Sequence, residues 1–167
     1  MDGRVLIVDE SKCNGCLLCM IACSVRHTGD IRLDRAHISI WKTDEEHYVP
    51  LTCHHCETPS CTLACPTKAC SQESESLRVV IDGERCIGCR TCVVACPFGH
   101  AHYDRVSRVS VKCDYCDGEP ECVRVCEPGA IAYVPSDEIG GHKRRAAPLA
   151  LSTRRLNERA GESSRDR

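Results

Sequence analysis

Apolar residues fall in short runs along this chain, each closed off by polar or cysteine-bearing segments. Residues 4–9 (Arg-Val-Leu-Ile-Val-Asp) are rich in β-branched side chains and predict a strand. Residues 17–23 (Leu-Leu-Cys-Met-Ile-Ala-Cys) are continuously apolar and predict a brief helix. Residues 36–41 (Ala-His-Ile-Ser-Ile-Trp) alternate, a Thr-Asp-Glu-Glu turn follows, and residues 46–51 (Glu-His-Tyr-Val-Pro-Leu) resume. That pattern predicts a β-hairpin with Pro50 near an edge and Trp41 as a packing residue. Residues 77–82 (Leu-Arg-Val-Val-Ile-Asp) predict another strand, and residues 130–134 a last one. Beyond Pro135 the pattern stops, and Gly140-Gly-His-Lys-Arg-Arg opens a tail poor in core residues. Segment 136–167 is expected to be mostly unstructured alone, or to dock on a partner through Leu149, Leu151 and Leu156.

Cysteines fill the gaps between these runs. Cys86, Cys89, Cys92 and Cys96, with Pro97, read C-x2-C-x2-C-x3-C-P, the spacing that wraps a cubane [4Fe–4S] core. Three closely spaced thiolates let one loop curl around the core, while the fourth cysteine points away and ligates a second cluster. Proline then interrupts the local pattern, since it has no N–H and a fixed φ. Cys13, Cys16, Cys19 and Cys23 keep the tight spacing, but Ser24 stands in place of the proline. Cys53, Cys56, Cys61 and Cys65 read C-x2-C-x4-C-x3-C-P; Cys113, Cys116, Cys122 and Cys126 read C-x2-C-x5-C-x3-C before Glu127-Pro128. Pro59 and Pro120 each stand two places before the third cysteine, so a tight–loose pair of motifs is repeated, as duplication would leave it. Sixteen of the seventeen cysteines thereby become ligands of four [4Fe–4S] clusters. Gly15 and Gly88 lie in the tight loops, where glycine permits a sharp turn.

Composition agrees. With 167 residues but only 4% aromatics, the chain has thin material for an ordinary core, and bound metal would have to supply folding energy. A disulfide scaffold fits poorly: the cysteines come in tight fours, their number is odd, and the N-terminus shows no cleavable apolar segment. Structural zinc is the nearer rival, but zinc sites set two pairs well apart, whereas here a third cysteine falls near each pair. Sixteen thiolates and four oxidised cores would take the formal charge from −2 to about −10, which argues against nucleic acid. No apolar run is long enough to span a membrane. Nor is there a nucleophile–base pair, an open-site ligand set or a phosphate-cradling loop.

The strands bear on which cysteines share a cluster. In a two-cluster ferredoxin the strand before the first motif pairs with the strand after the second. Motifs two and three, with strand 77–82 between them, make a complete inner module, which leaves strands 4–9 and 130–134 to pair around motifs one and four. This predicts an α+β fold of two nested bacterial-ferredoxin-like modules with short strands, short helices and irregular cluster loops. Residues 1–135 form the four-cluster domain: an outer module of 1–30 plus 106–135, an inner module of 50–105 and a hairpin insertion of 31–50. The ligand sets are then Cys13, Cys16, Cys19 with Cys126; Cys113, Cys116, Cys122 with Cys23; Cys53, Cys56, Cys61 with Cys96; and Cys86, Cys89, Cys92 with Cys65. Sequential pairing, one with two and three with four, stays open. His27 reads as a surface or neighbouring histidine, not a ligand. Cys70 aligns with Ile131 and reads as a packing residue.

The phrases Val49-Pro-Leu-Thr-Cys-His-His-Cys-Glu-Thr-Pro-Ser-Cys-Thr-Leu-Ala-Cys-Pro and Arg85-Cys-Ile-Gly-Cys-Arg-Thr-Cys-Val-Val-Ala-Cys-Pro-Phe-Gly carry a resemblance. Over residues 4–134 the chain resembles the four-cluster electron-transfer subunits of molybdenum and tungsten pterin oxidoreductases, such as dimethyl sulfoxide reductase and formate dehydrogenase. It departs from many of them in having a short last motif, no tryptophan replacing a cysteine and no C-terminal membrane anchor. It is most similar to compact soluble members that serve tungsten aldehyde oxidoreductase or carbon monoxide dehydrogenase. The resemblance implies nested ligand pairing and a non-catalytic role. Electrons would pass between a larger catalytic pterin subunit, of the aldehyde-oxidoreductase type, and a second partner such as a flavoprotein. A free-standing polyferredoxin shuttle is the alternative, and a zinc-bound interaction module the remoter one. Reduced thiols and the bare N-terminus point to the cytoplasm, with export beside a signal-bearing partner left open.

Overall fold

The computed structural model describes residues 3–43 and 47–139. Among the described residues, four antiparallel two-stranded sheets and four α-helices alternate with the cysteine loops. β1 (Arg4–Val8) pairs with β8 (Ile131–Pro135), Arg4 opposite Pro135 and Val8 opposite Ile131, so the two ends of the described chain close on each other as the strand argument expects. β2 (Ser39–Lys42) and β3 (Tyr48–Leu51) form the expected hairpin, with Pro50 opposite Ile40. Most of its turn, residues 44–46, lies outside the described residues, as do residues 140–167 with Leu149, Leu151 and Leu156.

Two further hairpins complete the set, and of their four strands only residues 79–81, inside the predicted strand 77–82, are evident in the apolar pattern. β4 (Cys70–Gln72) pairs with β5 (Val79–Ile81), and β6 (His102–Asp104) with β7 (Val109–Val111). Each links one cysteine motif to the next.

In motifs two and three a proline follows the fourth cysteine and the helix is short; the helix of motif four is equally short although Glu127 follows Cys126. α2 (Ser60–Leu63) and α3 (Thr91–Ala95) stop before Cys65-Pro66 and Cys96-Pro97, and α4 (Glu121–Arg124) before Cys126. A proline disfavours helical backbone in the residue ahead of it, and Cys96 is extended at φ −77°, ψ 112°. Motif one has Ser24 instead, and α1 (Leu18–Thr28) runs eleven residues, well beyond a brief helix, before Gly29 ends it at φ 72°. The Ser24 hydroxyl is fully buried; it donates to the Asp30 carbonyl at 2.7 Å and accepts from the Arg32 N–H at 3.1 Å.

α1 packs on α4 and α2 on α3, and these two helix pairs set the cysteines facing one another. One core cluster joins Cys19, Cys23, Ala36, Ile38, Cys122 and Ile131, so half its buried members are cysteines. Trp41 corrects the expectation of packing: it is 64% exposed. Alternation along β2 turns Ile38 and Ile40 inward and leaves Trp41 outside.

Candidate metal centres

The tight loops share one backbone design. Motif one places Gly15 at φ 70° and Leu17 at φ 62°, on either side of Cys16; motif three places Gly88 at φ 68° and Arg90 at φ 63°, on either side of Cys89. Two left-handed residues around the middle cysteine coil the loop, and in motif one Cys13, Cys16 and Cys19 all line one cavity. A leucine and an arginine in that region are costly and persist only where the surroundings enforce them. Both glycines are also sterically required. A Cβ on Gly15 would sit 2.6 Å from the Tyr48 ring, and one on Gly88 2.5 Å from the Arg108 carbonyl oxygen. The looser motifs use a related device, with His55 at φ 45° and Tyr115 at φ 60° just ahead of the second cysteine.

The α1–α4 pair gathers sulfurs from opposite ends of the sequence. Cys13, Cys16, Cys19 and Cys126 line one cavity, closed by Ile40, Pro50 and Ile131. Burial pushes the Cys19 thiol up to about 11, and the charges that add to the push are those of Cys16, Cys13 and Cys126. Burial likewise pushes Cys23 up to about 12, and its sulfur neighbours are Cys113 and Cys116. Cys122 is raised by burial and then by Cys113, Cys23 and Cys116. In the α2–α3 half, Cys92 is raised by burial and by the charges of Cys86 and Cys65. Cys53 is raised by burial, with Cys61 as a sulfur neighbour. Cys96 caps α3, which packs on the helix that carries Cys61. Motif four is the most enclosed, with Cys113, Cys116 and Cys122 buried and Cys126 half-buried; Cys19 and Cys23 of motif one are buried too, whereas Cys16 and Cys89 reach the surface.

Donors converge on these sulfurs. The His37 N–H donates to Cys23 Sγ at 3.2 Å, His55 N–H to Cys53 Sγ at 3.4 Å, Cys70 N–H to Cys65 Sγ at 3.3 Å and Ser110 N–H to Cys86 Sγ at 3.5 Å. The Thr91 hydroxyl donates to Cys89 Sγ at 3.2 Å. Amide and hydroxyl donors aimed at thiolate sulfur favour the metal-binding form of cysteine. Four sulfurs around one cavity, and donors aimed at sulfurs of all three other groupings, suit iron–sulfur cores.

Several residues close to the sulfurs were not legible in the sequence. His27 behaves as expected of a neighbour, its Nε2 3.7 Å from Cys116 Sγ and 3.5 Å from an Asp114 oxygen. It stacks on His37 at 3.9 Å between centroids. Burial, then the charges of His27 and His102, holds His37 down to about 3; burial with Lys112 and Arg78 holds His55 down to about 2. Both imidazoles are therefore neutral at pH 7, and His55 Nδ1 accepts the Val79 N–H at 2.9 Å. Cys70 is buried as expected but does more than pack. Besides its N–H bond to Cys65, its thiol lies within hydrogen-bonding reach of Cys61, whose pKa that contact holds down to about 6. Lys112 is fully enclosed beside Cys113.

Fold and loops thus define an iron–sulfur protein of the 4Fe–4S ferredoxin-like class. Comparison with known proteins agrees: a model described as a 4Fe-4S dicluster domain matches residues 45–136, and one described as a 4Fe-4S binding domain matches residues 10–26. The chain is 36% identical over 121 residues to the aliphatic sulfonate oxidoreductase polyferredoxin-like subunit of Pyrococcus furiosus, covering 72% of this chain and 70% of that one. It is 33% identical over 164 residues to one chain of the anaerobic dimethyl sulfoxide reductase of Escherichia coli, covering 85% and 80%. With one subunit of the tetrathionate reductase of Archaeoglobus fulgidus it shares 38% over 117 residues, covering 70% and 56%. A solved complex, the active site complex BamBC of benzoyl coenzyme A reductase as isolated, aligns over 90% of each chain at 23% identity and a TM-score of 0.46. The protein belongs to the family of 4Fe–4S electron-transfer subunits of oxidoreductase complexes that includes this dimethyl sulfoxide reductase component. Among the described residues no helix is long and apolar enough to cross a membrane.

Proposed function

We propose that residues 1–135 hold four [4Fe–4S] clusters and act as a non-catalytic wire for single electrons. The ligand sets are the nested ones: Cys13, Cys16, Cys19 with Cys126; Cys113, Cys116, Cys122 with Cys23; Cys53, Cys56, Cys61 with Cys96; and Cys86, Cys89, Cys92 with Cys65. One observation carries the reading. Cys126, from the last motif, lines the same cavity as the three leading cysteines of the first. The β1–β8 ladder and the grouping of Cys23 with Cys113 and Cys116 support it from independent residues. Motifs one and four then form the outer module (1–30 and 106–135), motifs two and three the inner one (50–105), with 31–50 as an insertion.

When bound, each cluster supplies a site for one electron at a time. The chain does the rest. Its left-handed loop residues aim the thiolates, its N–H donors stabilise their charge, and burial of motif four keeps water away. The relatives' names, all oxidoreductase subunits, favour a larger catalytic partner. We assign that partner to the molybdenum or tungsten pterin enzymes, of the aldehyde-oxidoreductase type, with a flavoprotein or similar carrier at the other end. Cytoplasmic placement follows from the need to keep so many thiols reduced.

Anaerobic purification tests the cluster reading. Brown protein with about sixteen irons supports it, and colourless protein with stoichiometric zinc overturns it. Cys23→Ala separates the pairings: nested ligation loses the motif-four cluster, sequential ligation the motif-two cluster. Co-purification of a pterin-bearing polypeptide distinguishes a subunit from a diffusing shuttle.

A further inference from the structure

Among the described residues, Lys112 is a buried cation without a carboxylate partner. Its side chain sits in a residue only 3% exposed, immediately ahead of Cys113. Nζ donates to the carbonyl of Val79 on β5 and, at 2.8 Å, to the carbonyl of Cys113. Burial raises the Cys53 thiol, and the positive charge of Lys112 opposes that rise. Among the described residues no ion pair includes Lys112. The other well-buried cations differ: Arg35 meets Asp104 at 2.9 Å and Arg78 meets Glu73 at 2.9 Å.

An ammonium taken out of water needs compensating negative charge. Two carbonyl dipoles offset part of it. The full negative charges nearest to hand are thiolates, and the charge of Lys112 bears on Cys53, Cys61 and Cys113 together. Those three cysteines belong to motifs two and four, on the two modules of the proposed nested fold. Arg78, which bonds the Asp114 carbonyl at 3.1 Å, already has Glu73 and so brings little net charge to the same place.

We propose that Lys112 is a fixed internal counter-charge that raises the reduction potentials of the motif-two and motif-four clusters relative to what a neutral residue in its place would give. The inference rests on the cluster reading above. Each electron taken up from the donor partner adds one negative charge, spread over a cluster's sulfurs, and no proton need move. A cation held beside those sulfurs lowers the cost of that charge, more so inside the protein than in water. The same residue ties β5 of the inner module to the fourth cysteine loop of the outer one, so it sits where an electron passes between modules.

The test compares the full-length, anaerobically loaded chain with Lys112→Gln, Lys112→Met and Lys112→Arg variants. Iron and sulfide contents of the wild type judge the cluster reading separately. Spectroscopic redox titration then reads the potentials. Gln and Met should shift two of the four clusters negative, by about tenfold in the reduced-to-oxidised ratio at fixed ambient potential, or about 59 mV for a one-electron couple. Arg should leave them near wild type. Failure of both neutral variants to hold iron while Arg holds it also supports the proposal, because the thiolates then need the charge. Fully loaded Gln or Met chains with unshifted potentials overturn it. So does an Arg chain shifted as far as the neutral ones, or loss of iron in all three, since shape and not charge would then be the requirement.

Discussion

The Arg35 guanidinium closes on one oxygen of Asp104, with Nε at 3.2 Å and Nη2 at 2.9 Å from Oδ2. The Ser107 hydroxyl donates to the same oxygen at 2.7 Å, and the Val106 N–H to Oδ1 at 2.9 Å. Both side chains are largely buried, so this pair clamps the segment after α1 onto the β6–β7 hairpin. The hairpin leads into Lys112 and the most enclosed cysteine motif. A polar clamp thus holds an element whose own apolar content is small.

Removing one partner strands the other's charge. Asp104→Ala should destabilise the loaded protein by about 3–5 kcal/mol, because Arg35 would keep only Asp30, whose side chain is largely exposed. Chemical denaturation under anaerobic conditions measures this. Burial alone would raise the Asp104 carboxyl, but the bonds from Arg35, Ser107 and Val106 outweigh it and hold the pKa below the ordinary value. A carboxylate depressed in the folded state stabilises above its unfolded pKa of about 3.9 and loses that contribution as pH falls towards its folded value. The deficit of Asp104→Asn relative to wild type should therefore be constant near neutrality and shrink below about pH 4.

Ser24 offers a second measurement. Its hydroxyl links α1 to the chain beyond Gly29 from a fully buried position. Ser24→Ala leaves the Arg32 N–H without that acceptor and should cost about 1–3 kcal/mol. Ser24→Pro restores the residue that follows the fourth cysteine in motifs two and three, yet it should cost about 3 kcal/mol or more, since it falls inside the helix. Circular dichroism of the proline variant should show lost helix, and thermal melting should rank it below the alanine variant.

The cysteine loops, the β1–β8 pairing and the β2–β3 hairpin were legible because each leaves a local mark: fixed spacing, β-branched runs, alternation. The missing proline at Ser24 was visible too, but not the eleven-residue helix found there, since motif four also lacks that proline and keeps a four-residue helix. β4 begins at Cys70 and continues Ser-Gln, with no apolar alternation to announce it; its pairing with β5 and the N–H bond to Cys65 Sγ define it in space. Lys112 was illegible for a different reason. Lysine is almost never buried, so only the surrounding carbonyls and sulfurs explain its place. Trp41 erred the opposite way, because a single large aromatic invites a core role that strand alternation denies it.

Cys70 separates ligation from support. Cys70→Ile installs the residue found at the matching place after motif four, Ile131, and should retain the full iron content. The bond from the residue-70 N–H to Cys65 Sγ survives the change, since it belongs to the backbone. The thiol contact with Cys61 does not. Loss of a donor makes the sulfur harder to charge, so one cluster's potential should fall while three stay in place. Iron analysis with redox titration checks both halves; loss of about four irons would make Cys70 a ligand.

Stripping the metal asks what the remaining side chains can hold alone. Seven of the sixteen most buried apolar residues are cysteines: Cys19, Cys23, Cys70, Cys92, Cys113, Cys116 and Cys122. Without metal, burial pushes Cys19 and Cys113 up to about 11 and Cys23 up to about 12, so these thiols stay neutral and bind one another only weakly. The two-stranded sheets give little independent stability, and α2 and α4 are four residues each. Lys112 would also lose the negative charge gathered around it. Anaerobic chelation should therefore abolish the cooperative thermal transition and most of the helix signal, and both should return on reconstitution with iron and sulfide. A sharp melting transition in metal-free protein would place the folding energy in the polypeptide itself, against the reading that its cores are held mainly through the cysteine sulfurs.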